Sequence, residues 1–223
     1  MGEKLILLDH FASSFGMRAR VALAAKGVAY EYSEQDLFNK SQLLLESNPI
    51  HKQIPVLIHN GKPVCESLII LEYIDEVWNK EYPLLPPHPY QRAQARFWAD
   101  YIDKKLYGAG RKIWSTGSGE EQEAAKKELV ETLKQMESQL GEEAFFGGER
   151  LGFLDVALIG YSRWFHTYEM CGGFSIQEHC PKLTQWVKRC LEIDFVSESL
   201  TDPAKIYGSM VEYRKDVLGI HTP

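Results

Sequence analysis

Asn48 to Ser67 reads NPIHKQIPVLIHNGKPVCES, and the rest of the chain is organised around it. Ile54 to Ile58 and Pro63 to Cys65 are strand-like. Asn60-Gly61 between them is a hairpin signal, because a tight two-residue turn needs positive φ, which Gly adopts without penalty. A β-hairpin is therefore expected. Pro55 stands where the first strand should begin, and with no N–H it cannot donate to a sheet ladder. The backbone of Ile54 is left available to a partner outside the sheet, and a ligand is one candidate.

Upstream, Leu5 to Leu8 is a short apolar run of the kind a fully buried strand shows. After a loop from Asp9 to Ser13, Met17, Val21 and Ala24 recur at helical spacing and Gly27 stands at a helix C-terminus. Val28 to Ser33 alternates β-branched or aromatic residues with polar ones, completing a strand-helix-strand unit whose strands should be parallel. A short helix over Ser41 to Glu46 precedes the hairpin. A third helix runs from Ser67 to about Trp78, with Ile70, Tyr73, Ile74 and Val77 on one face. The order β-α-β-α-β-β-α makes a small α/β domain, expected over residues 1–82.

Residues 83–89 form the expected linker: Tyr82 to Pro89 carries four prolines, which suppress both helix and central strand. Residues 90–223 are expected to be all helical. Gln91 to Trp114 is long and amphipathic, and Leu129, Leu133, Met136 and Leu140 form a stripe ended by Gly141. Asp155 to Met170 is apolar all round, as in a helix at the centre of a bundle. Gly152 and Asp155 look like its cap, and Leu151 can staple onto Val156. Leu183, Trp186, Val187, Cys190 and Leu191 give a one-sided helix, and Ile206, Met210, Tyr213 and Val217 a final one.

With 223 residues, 44% hydrophobic and 25% charged, the chain has room for two small domains. A net charge of −6 argues against nucleic-acid binding, which calls for a basic face. No apolar run approaches the roughly 18 residues of a membrane span. The start Met1-Gly2-Glu3-Lys4 leads into a strand rather than a signal peptide, so the cytosol is the expected location, with no membrane partner. The four cysteines and seven histidines show no metal-ligand spacing, and no metal or disulfide framework is expected.

The IPVL segment with Glu66-Ser67 across the hairpin, the element Ser13-Ser14-Phe15-Gly16-Met17-Arg18, the proline-rich linker and the helical remainder together resemble the cytosolic glutathione transferases, closest to the plant tau class. The resemblance implies an α/β thioredoxin-like N-terminal domain followed by an all-α helical C-terminal domain. It also implies a cis Pro55, a homodimer, and conjugation of glutathione to hydrophobic electrophiles in detoxification or stress response. Glutathione is then a co-substrate, with no cofactor. A glutathione-dependent peroxidase activity is a further expectation, and a non-catalytic carrier of hydrophobic ligands is the alternative.

Glutathione carries two carboxylates, one ammonium and a thiol, and each needs a partner. Glu66-Ser67 would lie at a helix N-terminus, where free amides favour an anion, Ser67 taking the γ-glutamyl carboxylate and Glu66 the ammonium. On local grounds alone the same pair reads first as a helix cap, and the resemblance reverses that order. Ile54 beside Pro55 offers backbone pairing to the tripeptide, and Lys40 a point charge to the glycyl carboxylate. Gln53 stands where the tau pattern commonly has a second Lys, and contributes hydrogen bonds without charge.

Ser13 is the catalytic candidate. No histidine base is indicated for it, so its role is to hydrogen-bond the glutathione sulfur and favour the thiolate, helped by the helix N-terminus. Ser14 is the rival, and the family pattern favours Ser13. A Cys at this position would point instead to mixed-disulfide chemistry. Arg18 resembles a residue near the sulfur site, though on local grounds it is a surface arginine. The electrophile pocket is expected between the domains, from Phe15 or His10 on one side and Tyr107, Arg111, Trp114 and Trp164 on the other. Such an aromatic stripe is more often plain core, and Arg111 within it shifts the balance toward a cleft.

Overall fold

The structure, a computed structural model, describes residues 4–80 and 82–220. The Met1–Glu3 start, on which the expected absence of a signal peptide rests, lies outside the described residues.

A four-stranded sheet of order β2-β1-β3-β4 forms the first part of the chain. β1 (Leu5–Asp9) runs through α1 (Ser14–Ala25) into the parallel strand β2 (Glu31–Glu34). β3 (Val56–His59) is antiparallel to β1 and turns into β4 (Lys62–Cys65). The turn between them has φ of 50° at Asn60 and 78° at Gly61, the positive values a tight hairpin demands. Between β2 and the hairpin lies α2 (Gln42–Ser47), whose first turn is held by Ser41 accepting from the Leu44 amide. α3 (Ser67–Val77) follows β4.

Three expectations for this part change. β2 begins at Glu31 rather than Val28, because residues 26–28 close the end of α1. Gly27 takes φ +64°, its amide donates to the Ala24 carbonyl, and the Val28 amide donates back to Leu23 at 2.9 Å. β3 begins at Val56, since the Ile54-Pro55 peptide is cis and pairing with β1 stops at Leu8 opposite Val56. On α3, Val77 is 42% exposed, and Leu71 is buried beside Ile70 and Ile74 instead.

Beyond Leu85 the named elements among the described residues are all helices. α4 (Pro89–Ser115) starts two residues before the expected Gln91, with Pro89 in the first turn and the His88 ring accepting from the Tyr90 amide. α5 (Glu120–Leu140) ends at Gly141 as the stripe predicts. The single helix expected from Asp155 to Met170 is two, α6 (Phe153–Ser162) and α7 (Phe165–Gly172). The chain turns at Arg163 and Trp164, whose side chains are held by carbonyls of other segments: Arg163 Nε donates to Thr201 and Trp164 Nε1 to Ala12, both at 2.8 Å. Every residue of α6 is buried. The remainder is α8 (Ile176–His179), α9 (Pro181–Leu191), α10 (Asp194–Ser197) and α11 (Pro203–Asp216). Of the stripe expected on the last helix only Ile206 is buried, while Met210 and Tyr213 are half-buried and Val217 is exposed.

The sheet and the helices share one apolar core, reaching from Leu7 and Leu23 to Trp186. Two features fix their relation. The buried Asp75 carboxylate accepts from Lys26 Nζ at 2.7 Å and from the Leu84 and Leu85 amides at 2.8 and 3.0 Å, pinning the linker to α3. α1 and α6 meet backbone to backbone, since a Cβ on Gly160 would lie 2.5 Å from the Ser14 carbonyl oxygen. Only glycine permits that approach, and it seats the start of α1 against the helical part.

Candidate functional site

The strand register sets Leu8, Val56 and Cys65 side by side at one end of the sheet. The chain entering or leaving that end supplies the β1–α1 loop with Ser13, the cis Ile54-Pro55 peptide, and Glu66-Ser67. Three segments far apart in sequence are thereby brought together.

Ser13 is the N-cap of α1 and Ser14 its first residue. The Ser13 Oγ accepts the Gly16 amide at 3.0 Å, which leaves its own O–H free to donate outward. Ser14 is buried, 5% exposed, and lies against α6, so it is badly placed to meet a ligand. His10 has its ring 4.5 Å from Phe11 and its Nε2 3.9 Å from the Glu34 carboxylate; burial lowers its pKa below the usual histidine value.

Ile54 is half-buried, and no hydrogen bond engages its backbone N–H or C=O among the described residues. Lys40 Nζ donates to the Lys52 carbonyl at 2.8 Å, bringing Lys40 beside exposed Gln53, whose carbonyl accepts from Asn48 Nδ2. A charge at position 53 would add to the one at Lys40. Charged hydrogen bonds contribute about 1 kcal/mol more than neutral ones, so Gln53→Lys should lower the Michaelis constant for glutathione about fivefold in initial-rate kinetics. An unchanged constant contradicts a contact at this position.

Glu66 precedes α3 with φ 71° and makes no side-chain cap. The local reading of this pair as a helix cap therefore does not hold for Glu66, whose carboxylate lies 4.0 Å from His51 Nε2. Ser67 is buried, and its Oγ accepts from Arg18 Nη1 at 2.9 Å.

Arg18 is not the surface arginine its place on α1 suggests. It is fully buried, and its guanidinium forms a fork on Asp103 of α4 at 2.5 and 3.0 Å, while Nε donates to the Ala157 carbonyl at 2.8 Å. The rings of Phe15 and Tyr161 lie 5.3 and 5.5 Å from its charge, and the Tyr161 hydroxyl also donates to Asp103. One side chain thus joins α1, α3, α4 and α6 behind the Ser67 hydroxyl. Reasoning from sequence missed Asp103, although it falls four residues before Tyr107 on the face of α4 that carries Arg111 and Trp114.

Of the aromatic candidates, Phe15 meets Tyr107 at 5.1 Å. Trp114 lies 6.0 Å from Trp164 and 6.0 Å from Tyr213, and Tyr213 stacks on Phe38 at 5.8 Å. Tyr107 and Arg111 are exposed and Trp114 and Trp164 half-buried, which suits a cleft wall rather than core. Phe38 went unnoticed in sequence because it lies in an irregular loop, and Tyr213 was read only as part of the last helix's apolar stripe. A separate cavity of about 450 Å³, lined by Leu140, Glu142, Lys182 and Arg189 among others, contains none of these groups. Among the described residues no three His, Cys, Asp or Glu side chains gather as metal ligands, and all four cysteines are free.

A sheet with a cis-proline edge at one end and a helical bundle packed on its first helix defines a two-part class of proteins, thioredoxin-like then all-helical. Comparison with known proteins narrows the class. Residues 3–76 match the glutathione S-transferase N-terminal domain and residues 119–189 the C-terminal domain of the same family. The chain is 59% identical over 212 residues to probable glutathione S-transferase parA of Nicotiana tabacum, covering 95% of this chain and 96% of that one. It is 58% identical to glutathione S-transferase U25 of Arabidopsis thaliana, covering 99% of each. The structure of rice GST1 in complex with glutathione superposes with a TM-score of 0.92 at 48% identity, covering 97% of this chain and 99% of that one. The tau-class enzyme from mango gives 0.88 at 40% identity, covering 92% and 96%. The chain belongs to the glutathione S-transferase family and is tau-class-like.

Proposed function

We propose that this protein is a glutathione transferase in which Ser13 holds the glutathione sulfur as a thiolate that attacks a hydrophobic electrophile. The observation that carries the reading is the convergence of the Ser13 hydroxyl, the unpaired Ile54 backbone and the Ser67 end of α3 at one end of the sheet, next to an aromatic cleft. In this reading Ile54 pairs with the tripeptide as an added strand beside Pro55, and Glu66 and Ser67 take the γ-glutamyl ammonium and carboxylate. Lys40 and Gln53 take the glycyl end. Arg18 is a positioning residue that orients the Ser67 hydroxyl, its charge matched by Asp103. The electrophile lies among Phe15 or His10 on one side and Tyr107, Arg111, Trp114 and Trp164 on the other; Phe38 and Tyr213 extend that wall. The sheet part over 1–82 binds glutathione, 83–89 links, and 90–223 carries the electrophile site.

The chemistry is a nucleophilic displacement or addition. The thiolate sulfur forms a bond to the electrophilic carbon, and a halide leaves from an aryl halide, or a proton is taken up by an enone or isothiocyanate adduct. The protein contributes ionisation of the thiol and the holding of two reactants together. A homodimer acting in the cytosol is part of the proposal; no helix among the described residues is long and apolar enough to cross a membrane. Turnover of glutathione with an aryl halide, an enone, an isothiocyanate and an organic hydroperoxide tests the reading. Conjugation of at least one electrophile is expected, and tight binding of hydrophobic ligands with no turnover of any would favour the carrier instead.

A further inference from the structure

Asp9 ends β1, and its side chain is fully buried directly beneath the first turn of α1. A Cβ on Gly16 would lie 1.7 Å from Asp9 Oδ1, so the bare glycine backbone rests on the carboxylate. The amide of that same Gly16 donates to the Ser13 Oγ. Neither carboxylate oxygen receives an aligned hydrogen bond among the described residues. Arg20 Nε is 3.2 Å from Oδ2 but out of line, and its terminal nitrogens are engaged by Thr201 Oγ1 and the Phe11 carbonyl. A buried carboxylate whose neighbouring donors, Arg20 Nε and the His10 amide, are out of line is costly unless it serves something else or carries a proton.

We propose that Asp9 is a positioning residue that tunes ionisation of the glutathione sulfur from beneath α1, its charged form opposing the thiolate and its protonated form permitting it. The proposal rests on the reading of Ser13 given above. Two negative charges on opposite sides of one helical turn repel through a low-dielectric interior, so the two sites titrate as a pair. Both groups lose protons as pH rises, and because each negative charge disfavours the other, the two deprotonations are spread over a wider pH range than either would need alone. Burial pushes the Asp9 carboxyl up to about 7 against the pull of Arg20 and of the His10 backbone amide, with Glu34 on β2 adding a smaller rise. His10 on the following loop and Tyr30 and Tyr32 near β2 are the other titratable groups around it. Asp9 therefore changes charge in the same range as a sulfur whose pKa has been lowered by about two from the usual 8.5.

Ultraviolet absorbance of the glutathione thiolate bound to the full-length protein, followed from about pH 5 to 9, tests this in wild type and in Asp9→Asn, which keeps the shape and removes the charge. The wild-type curve should be shallower than a one-proton titration. Asp9→Asn should give a one-proton curve with a thiolate pKa lower by about one. An Asp9→Asn pKa equal to or above that of wild type overturns the proposal, and so does a wild-type curve that already fits one proton, which decides the matter if the variant does not fold. A wild type with no thiolate below about pH 8 removes the Ser13 reading and this proposal together, whereas a normal wild-type thiolate unmoved by Asp9→Asn removes the proposal alone.

Discussion

Asp155→Ala should lower the unfolding free energy by about 3–5 kcal/mol, a large share of the roughly 5–15 kcal/mol that holds a domain together. The Asp155 carboxylate is fully buried at the start of α6 and accepts four hydrogen bonds. Oδ1 receives the Phe146 amide at 2.9 Å and the Trp186 indole N–H at 2.7 Å. Oδ2 receives the Gly147 and Gly152 amides at 2.9 and 2.8 Å. Burial raises its pKa to about 6 while these donors pull it down, so above that pH it is an ion held by N–H groups. Alanine leaves those donors without a partner in an interior that excludes water. Asn should recover only part of the loss, because its amide nitrogen would face two N–H groups it cannot accept from. Urea unfolding followed by circular dichroism measures the change, and a shift below about 1 kcal/mol would mean that water or a rearranged loop replaces the carboxylate.

Ser13→Ala should lower kcat/KM for conjugation about 10- to 100-fold near neutral pH, with a smaller effect on glutathione affinity. Bringing a thiol pKa of about 8.5 down by two needs about 2.7 kcal/mol of differential stabilisation. A charged hydrogen bond and the end of a helix together supply about that much. The hydroxyl is oriented for the task because Oγ already accepts the Gly16 amide. The same substitution removes the N-cap of α1 and should cost about 1 kcal/mol of stability, which unfolding curves separate from the kinetic loss. A rate within twofold of wild type would pass the role to Ser14 or to the helix end alone.

The hairpin and the parallel unit were legible in the sequence because their signals are local: a turn that needs positive φ at Asn60 and Gly61, and an apolar run too short for a helix at Leu5 to Leu8. The stripe of α5 and the all-apolar α6 were legible for the same reason. The break at Arg163 and Trp164 was not, since no Gly or Pro marks it and it depends on carbonyls of Ala12 and Thr201, distant along the chain. Ser13, Ile54 and Ser67 drew notice as candidates because each sits at a local irregularity, a cap, a proline or a strand-to-helix junction, but the roles given to Ser13 and Ser67 came from the family resemblance. Arg18 was noticed through the family resemblance, but its partner Asp103 escaped, ordinary on its own helix and informative only once α1 and α4 meet. Phe38 and Tyr213 were hidden likewise, one in a loop and the other on a stripe read as core.

The most direct test of the account is the absorbance of the thiolate of bound glutathione as a function of pH in wild type and in Ser13→Ala. The account predicts a wild-type thiolate pKa near 6.5, about two below the free thiol, and a return of most of that difference in Ser13→Ala. An identical thiolate pKa in the two proteins, with conjugation undiminished, would contradict it.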